Sequence, residues 1–243
     1  MSDWSVLSSV AERVAHLRNL VPPSVRTIAV SKTVPSSLMR EAYAAGIRDF
    51  GESRLQEAIL KQQELADLSD IAWHFIGHLQ SNKAKQALQH FQWIHSVDSL
   101  AIAQRLDLLA AELQVSPQIC LQVKLKPDPN KFGWTAPELL EQLPLLQPLQ
   151  HLRIQGLMTI LPLGLSPAEQ LETFQSVRDL AQTIRQHPDT PLPLTELSMG
   201  MSSDYALAVR AGTTMIRPGR ILFGERKEIA LSQPAQPSDS DPA

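Results

Sequence analysis

Apolar side chains at positions 6, 7, 10, 14, 17 and 20 share one helical stripe and Pro22-Pro23 close it, so a helix is expected over about 3–20. Beyond it, short apolar runs alternate with longer stretches of helical period. The runs predict strands at 27–30, 48–50, 72–76, 93–96, 119–123, 154–158, 195–198 and 214–216. The intervening patterns predict helices at 36–45, 53–67, 82–90, 99–113, 136–146, 167–187 and 203–211. Gly46 and Gly212 each follow a helical pattern directly, as C-cap glycines do.

Eight strands with helices between them require parallel crossovers, and the length suits a single (β/α)8 TIM-type barrel of about 250 residues, here with an extra N-terminal helix. A doubly wound open sheet is the structural rival that periodicity leaves open. Neither an internal repeat nor a second domain is visible. The closing SQPAQPSDSDPA is rich in Pro, Ser and Asp, so a barrel domain over 1–228 and a disordered polar tail over 229–243 are expected.

Composition narrows the setting. The 243 residues are 43% hydrophobic and 19% charged, ordinary for a globular chain with a full core. A net charge of −3 supplies no basic field for nucleic acid or a membrane surface. Cys120 is the single cysteine, which excludes an intrachain disulfide and points to a reducing compartment. The N-terminal stretch carries Asp3 and Glu12 and lacks the apolar core of a signal peptide. No apolar run approaches the roughly 20 residues that span a bilayer. A soluble cytoplasmic protein is expected.

If the barrel is right, function gathers at the C-terminal ends of its strands. The stretch IAVSKTVP at 28–35 puts Lys32 at the end of the first strand. Such a lysine is a solvated surface charge, a point charge for an anion, or an amine that forms an imine with a carbonyl. Its ordinary pKa of about 10.4 makes it a poor nucleophile unless burial or a cationic neighbour lowers that value.

The second informative stretch is LSMGMSSDYALAVRAGTTMIRPGRILFG at 197–224. Ser198, Gly200, Met201 and Ser202 lead from the seventh strand toward a helix through small and hydroxyl-bearing residues. They form either a helix cap or a cup of amides and hydroxyls for an anion. Arg217-Pro218-Gly219-Arg220 follows the eighth strand, with Gly219 permitting close backbone approach and Arg217 a fixed donor fork. Loops after strands 7 and 8 are where such barrels most often take phosphate. A lysine on strand 1 facing a phosphate cup on strands 7 and 8 describes a pyridoxal phosphate site.

AVSKT at 29–33, FGESRLQEA at 50–58, WHFIGHLQSNK at 73–83, KFGW at 131–134, GLMTI at 156–160, LSMGMSSDY at 197–205 and GTTMIRPGRILFG at 212–224 together resemble the pyridoxal 5′-phosphate homeostasis proteins. The resemblance implies a barrel like the N-terminal domain of alanine racemase, with the cofactor on Lys32 as a Schiff base. It further implies phosphate contacts from Ser198, the 200–202 loop and the amides of Gly219 and Arg220, and Arg217 near the pyridine nitrogen. Ser53 and Lys124 stand where the family commonly has asparagine, which alters the surroundings of the site and leaves the lysine and the cup intact.

Weaker candidates remain. His74 and His78 have the i, i+4 spacing of a helical metal pair, but they flank a strand end and lack a third ligand, so no metal is expected. Lys83, Lys85 and Lys131 form either a cationic rim or solvated faces. Met158 is a core residue or a contact of the cofactor ring.

Three functions share these residues: a monomeric carrier that holds pyridoxal phosphate and hands it to apo-enzymes, a racemase or lyase, and a Schiff-base aldolase. The racemase chemistry of this barrel uses a tyrosine base and a second, all-β domain. Tyr43 and Tyr205 fall in helical patterns and only a short polar tail follows the barrel. The aldolase needs an acid–base pair near Lys32 that the sequence does not offer. The non-catalytic carrier is the expected function, a reading that leans on the resemblance.

Overall fold

A computed structural model describes residue 4 and residues 6–224. The eight strands are β1 (Arg26–Val30), β2 (Asp49–Glu52), β3 (Ala72–Phe75), β4 (Trp93–Val97), β5 (Gln118–Gln122), β6 (Arg153–Met158), β7 (Glu196–Met201) and β8 (Met215–Arg217). They pair in sequence order, all parallel, and the ring closes where Arg26 and Thr27 of β1 meet Met215 and Ile216 of β8. The barrel therefore holds, and the open-sheet rival falls.

The helices are α1 (Val10–Leu20), α2 (Ser36–Ala44), α3 (Leu55–Glu64), α4 (Ala84–His90), α5 (Leu100–Leu113), α6 (Ala136–Leu146), α7 (Pro167–Arg185), α8 (Tyr205–Arg210) and α9 (Arg220–Phe223). Several depart from expectation for visible reasons. The first helix begins at Val10, because Ser9 caps it and Glu12 closes a reciprocal capping box. The 82–90 pattern starts as a 3-10 turn at Ser81–Lys83 before α4. β7 runs on through Met201, so Gly200 and Met201 lie in a strand rather than in a loop, and Ser198 stands within the strand rather than at its end. Arg217 is the last residue of β8 and does not lie beyond it. The four-residue α9 had no periodic signal of its own. Gly46 and Gly212 do sit at positive φ, 93° and 92°, beyond α2 and α8. The expected tail, 229–243, lies outside the described residues.

Strand alternation sorts the side chains into two populations. Ala29, Phe50, Phe75 and Leu157 face outward into the layer between barrel and helices, where they join a large core with Leu17, Met39, Leu106 and Phe174. Ile28, Trp93, Cys120, Met158 and Met215 face inward and form a separate small cluster inside the ring. Met158 is fully buried there, in the packing role weighed for it. Along β1 the inward positions continue through Val30 to Lys32, so one pleat carries both the packed interior and the residue at the mouth.

Gly156 of β6 exists for contact: a Cβ there would collide with the Glu196 carbonyl of β7. Gly156→Ala is expected to force the two strands apart and cost about 1–3 kcal/mol, read from urea unfolding. A loss within error would show that the β6–β7 pair can yield.

Candidate functional site

At the carboxyl ends of the strands the chain encloses a cavity of about 480 Å³. Val30, Lys32, Ser53, Ile76, Ile160, Met201, Ser202, Ser203, Arg217, Gly219 and Arg220 line it. Three of these are cationic, two are β7-end serines, and among the described residues no carboxylate, histidine or tyrosine is in the lining. Such a space attracts an anion with an apolar body. The structure thus gathers Lys32, Met201, Ser202, Arg217, Gly219 and Arg220 in one place. Gly200 and Ser198 lie next to the wall.

The cup forms where β7 and β8 end. Ser202 Oγ accepts from the amides of Gly219 at 3.1 Å and Ile221 at 3.4 Å, drawing the first turn of α9 against the end of β7. Gly219 passes so close to Val30 that a Cβ would stand 3.1 Å from its carbonyl oxygen. Gly200, at φ 96°, lets the strand turn under Ala208. Asp204 accepts the Met201 amide at 2.5 Å and fixes the far side. Burial raises the Asp204 carboxyl above its usual range, against the opposing pull of that amide and of Arg217. The site fits a phosphate-bearing carbonyl compound by its donor set: a primary amine, two guanidinium groups, hydroxyls and a glycine-lined backbone.

Arg217 is only 3% exposed. Its Nη1 donates to Ser198 Oγ at 2.6 Å and its Nη2 to the Thr159 carbonyl at 2.7 Å. Burial lowers its pKa to about 10, so it remains a cation at neutral pH. Ser198 is fully buried beneath it and also lies 2.8 Å from His95 Nδ1.

A charged network that sequence reasoning missed holds the loop bearing Lys32. Lys61 of α3 donates to the Ser31 carbonyl at 2.6 Å, to Glu52 Oε1 at 2.8 Å and to Glu57 Oε1 at 2.6 Å. Ser31 Oγ donates to Glu52 Oε1 at 2.7 Å, and Glu57 Oε1 accepts the Thr33 amide. The carbonyl before Lys32 and the amide after it are therefore both tied to α3. The tie matters because Thr33 sits at φ 62°, a left-handed conformation costly for a β-branched residue. Burial raises the Glu52 carboxyl, outweighing Lys61 and Ser31. Burial alone would raise Glu57 as well, but Lys61 and the Thr33 amide hold it below its usual value. The available signal was Glu57 and Lys61 at i, i+4 on a helix just after a strand ending in glutamate.

The remaining candidates separate. His74 is buried inside the barrel and bonds Asp49 and His95, whereas His78 is exposed, bonds Asp98 at 2.9 Å and stacks on Phe132. Among the described residues no group of three or more metal-ligating side chains occurs. Lys124 donates to the Lys131 carbonyl at 3.3 Å outside the cavity, while Ser53 lines it. Tyr43 is bound to Asp70 at the outer surface, and Tyr205 is buried in α8.

Fold and site define a one-barrel protein of the alanine racemase N-terminal type, and residues 6–227 match the family described as alanine racemase, N-terminal domain. A pyridoxal phosphate homeostasis protein of Synechocystis sp. is 57% identical over 206 residues, 85% of this chain and 94% of that one. Another, from Pseudomonas aeruginosa, is 41% identical over 230 residues, 90% and 97% of the two chains. The structure of PipY from Synechococcus elongatus with PLP bound superposes with a TM-score of 0.85 at 56% identity, covering 89% of this chain and 100% of that one. An alanine racemase of Clostridium difficile at 15% identity, with a TM-score of 0.68, shares the fold. The chain belongs to the pyridoxal phosphate homeostasis protein family. No helix among the described residues is long and apolar enough to cross a membrane.

Two predictions follow from the buried polar groups. Lys61→Met strips Glu52 of its cation, and stability should fall by roughly 3–5 kcal/mol in urea unfolding, partly restored by adding Glu52→Gln. No restoration would remove the charge argument. The second concerns histidine. Burial, with His74, Arg217 and Arg26 nearby, pushes the His95 pKa well below the usual value, and burial lowers His74 against the pull of Asp49. Unfolded histidine takes up a proton near pH 6.5, before the buried rings do, so stability must decline as pH falls below about 6.5, by about 1.4 kcal/mol per pH unit per ring. His95→Gln should make that slope shallower, and an equal slope would contradict neutral burial.

Proposed function

We propose that this chain binds pyridoxal phosphate covalently through Lys32 and serves to hold and deliver the cofactor without turning over a substrate. The observation that carries the reading is the lining of the 480 Å³ cavity: a lysine at one wall, cationic and hydroxyl donors at the other, and no proton-accepting carboxylate, histidine or tyrosine among the described lining residues. When bound, pyridoxal phosphate supplies an aldehyde for an amine and a ring that withdraws electrons best when its nitrogen is protonated.

The chain's residues divide the work. The α3 network holds the Lys32 loop in one conformation, so the amine needs little further ordering. Ser202 offers a hydroxyl and Gly200 and Arg220 backbone donors for the phosphate, while the Gly219 and Met201 amides, which donate to Ser202 Oγ and Asp204, would have to turn from those partners to join them; Ser198 lies one layer below. Arg217 places a charged donor on the floor, bonded to Ser198 and the Thr159 carbonyl and, among the described residues, not ion-paired to a carboxylate. A ring nitrogen brought against that donor is not favoured in its protonated form. Lysine alone in the lining can exchange a proton with a substrate, and Lys32 is the attachment point. These features support a carrier over a racemase or lyase.

We further infer a monomer that meets apo-enzymes transiently in the cytoplasm. The buried Cys120, whose thiol burial pushes far up, is suited to a reducing compartment and inert in it.

Borohydride reduction of the loaded protein, followed by peptide mass mapping, should place the cofactor on Lys32, and Lys32→Ala should abolish the yellow colour while unfolding stays cooperative. Trapping on another lysine would overturn the assignment. In Arg217→Gln, retention of the cofactor should persist while the pH dependence of its visible spectrum shifts. Outright loss from a folded variant would move Arg217 to the phosphate.

A further inference from the structure

Five side chains from five strands form an unbroken line through the barrel. Asp49 at the start of β2 lies 2.9 Å from His74 Nε2, and His74 Nδ1 lies 2.9 Å from His95 Nε2. His95 Nδ1 lies 2.8 Å from Ser198 Oγ, which accepts from Arg217 at 2.6 Å. The line starts at the end of the barrel remote from the cavity and finishes on its floor. His74, His95 and Ser198 are fully buried, so water does not complete their bonding. We propose that Asp49, His74, His95 and Ser198 form a one-way relay of hydrogens, both rings carrying theirs on Nε2, that positions Arg217 against the cavity.

The direction follows from valence. A carboxylate only accepts, so the His74 nitrogen facing Asp49 must carry the hydrogen. Arg26, 3.9 Å from Asp49, supplies the countercharge that keeps that end an acceptor. A neutral His74 then offers a lone pair at Nδ1, which His95 must meet with Nε2–H. His95 in turn offers a lone pair at Nδ1, which only the Ser198 hydroxyl hydrogen can meet, because Arg217 points its own donors at the serine oxygen and at Thr159. Every donor faces one acceptor. Reversal would set the His74 lone pair against the Asp49 oxygen and leave the serine hydrogen without this partner. The rings are also packed to keep their planes: His74 stacks on Trp93 at 5.6 Å and 11°. The charged and titratable groups facing the rings are Arg26 on β1, Asp49 on β2 and Arg217 on β8, with Cys120 and Glu196 further along the interior.

The consequence reaches the site. Ser198 has a single hydrogen, and the relay commits it to His95. The serine is then a pure acceptor toward Arg217 and keeps no hydrogen for a phosphate, so its role is to hold the guanidinium and not to join the cup. With Nη1 fixed on β7 and Nη2 on the Thr159 carbonyl, the planar fork cannot rotate about its last bond without breaking both. Hydrogen bonds polarised along one direction strengthen each other, so the remote Asp49 contributes to the rigidity of Arg217. Asp49, His74, His95 and Ser198 are thus positioning residues, and only the benefit to a bound cofactor rests on the function proposed above.

The test needs no cofactor. Long-range proton–nitrogen correlation spectra of the unloaded protein with 15N-labelled histidine at neutral pH should show both rings in the Nε2-protonated pattern. An Nδ1-protonated His95, or either ring doubly protonated, would overturn the relay. In the same protein Arg217 should give two resolved, slowly exchanging Nη signals. Ser198→Ala should merge them and Ser198→Thr, which keeps the hydroxyl, should restore them. Unchanged signals in a folded Ser198→Ala would overturn the positioning role. If that variant does not fold, the ring pattern of the unsubstituted chain still decides. Failure to trap a cofactor on Lys32 would leave all these signals as expected, so the two claims fail separately.

Discussion

A guanidinium kept inside a barrel without an ion-paired carboxylate among the described residues is the constraint around which this molecule is arranged. A buried cation is tolerable only if its donors are met, and the two terminal nitrogens of Arg217 are met by a serine oxygen and a backbone carbonyl. Placing an acid beside it would neutralise the floor of the cavity and supply a proton-accepting group there. The chain instead keeps the carboxylate that acts on it, Asp204, under the cup, and places Asp49 at the far end of a file of neutral side chains.

The opposite wall is managed by the reverse device. Lys32 stands on a loop whose next residue occupies a left-handed conformation, and a buried cluster of two glutamates and a lysine holds it from behind. Inside the ring the polar groups form a directional chain; outside it, between barrel and α3, they form a compact ion cluster. Both serve one cavity, because strand alternation sends Lys32 inward and Ser31 and Glu52 outward from adjoining strands. A closed parallel barrel allows this, since each strand is buried on both faces.

Much of the fold was legible because the strands are short β-branched or aromatic runs and the helices keep their period over two or more turns. The mouth residues were legible because the barrel assigns function to strand ends. What escaped notice was polar side chains within apolar runs. His74 in AWHF and His95 in WIHSV are single polar positions among buried neighbours; spacing drew His74 toward a metal pair with His78 and left His95 unread. For Ser198 the resemblance implies a phosphate contact. The apolar pattern puts it at the end of the seventh strand, but its bonds to His95 and Arg217 inside the barrel do not show, because β7 continues three residues further than that pattern does. Lys61 reads as a solvated helix lysine, since its partners Ser31 and Glu52 come from distant segments.

The claim that joins these features is that the cavity holds its cofactor firmly while offering a substrate no base among the described lining residues other than Lys32 itself and no strong electron sink. Incubating the loaded protein with L-alanine in deuterated water and following the α-proton by NMR tests it directly. The account predicts exchange no greater than the amount of protein present. Sustained exchange of many equivalents, lost on Lys32→Ala, would contradict it.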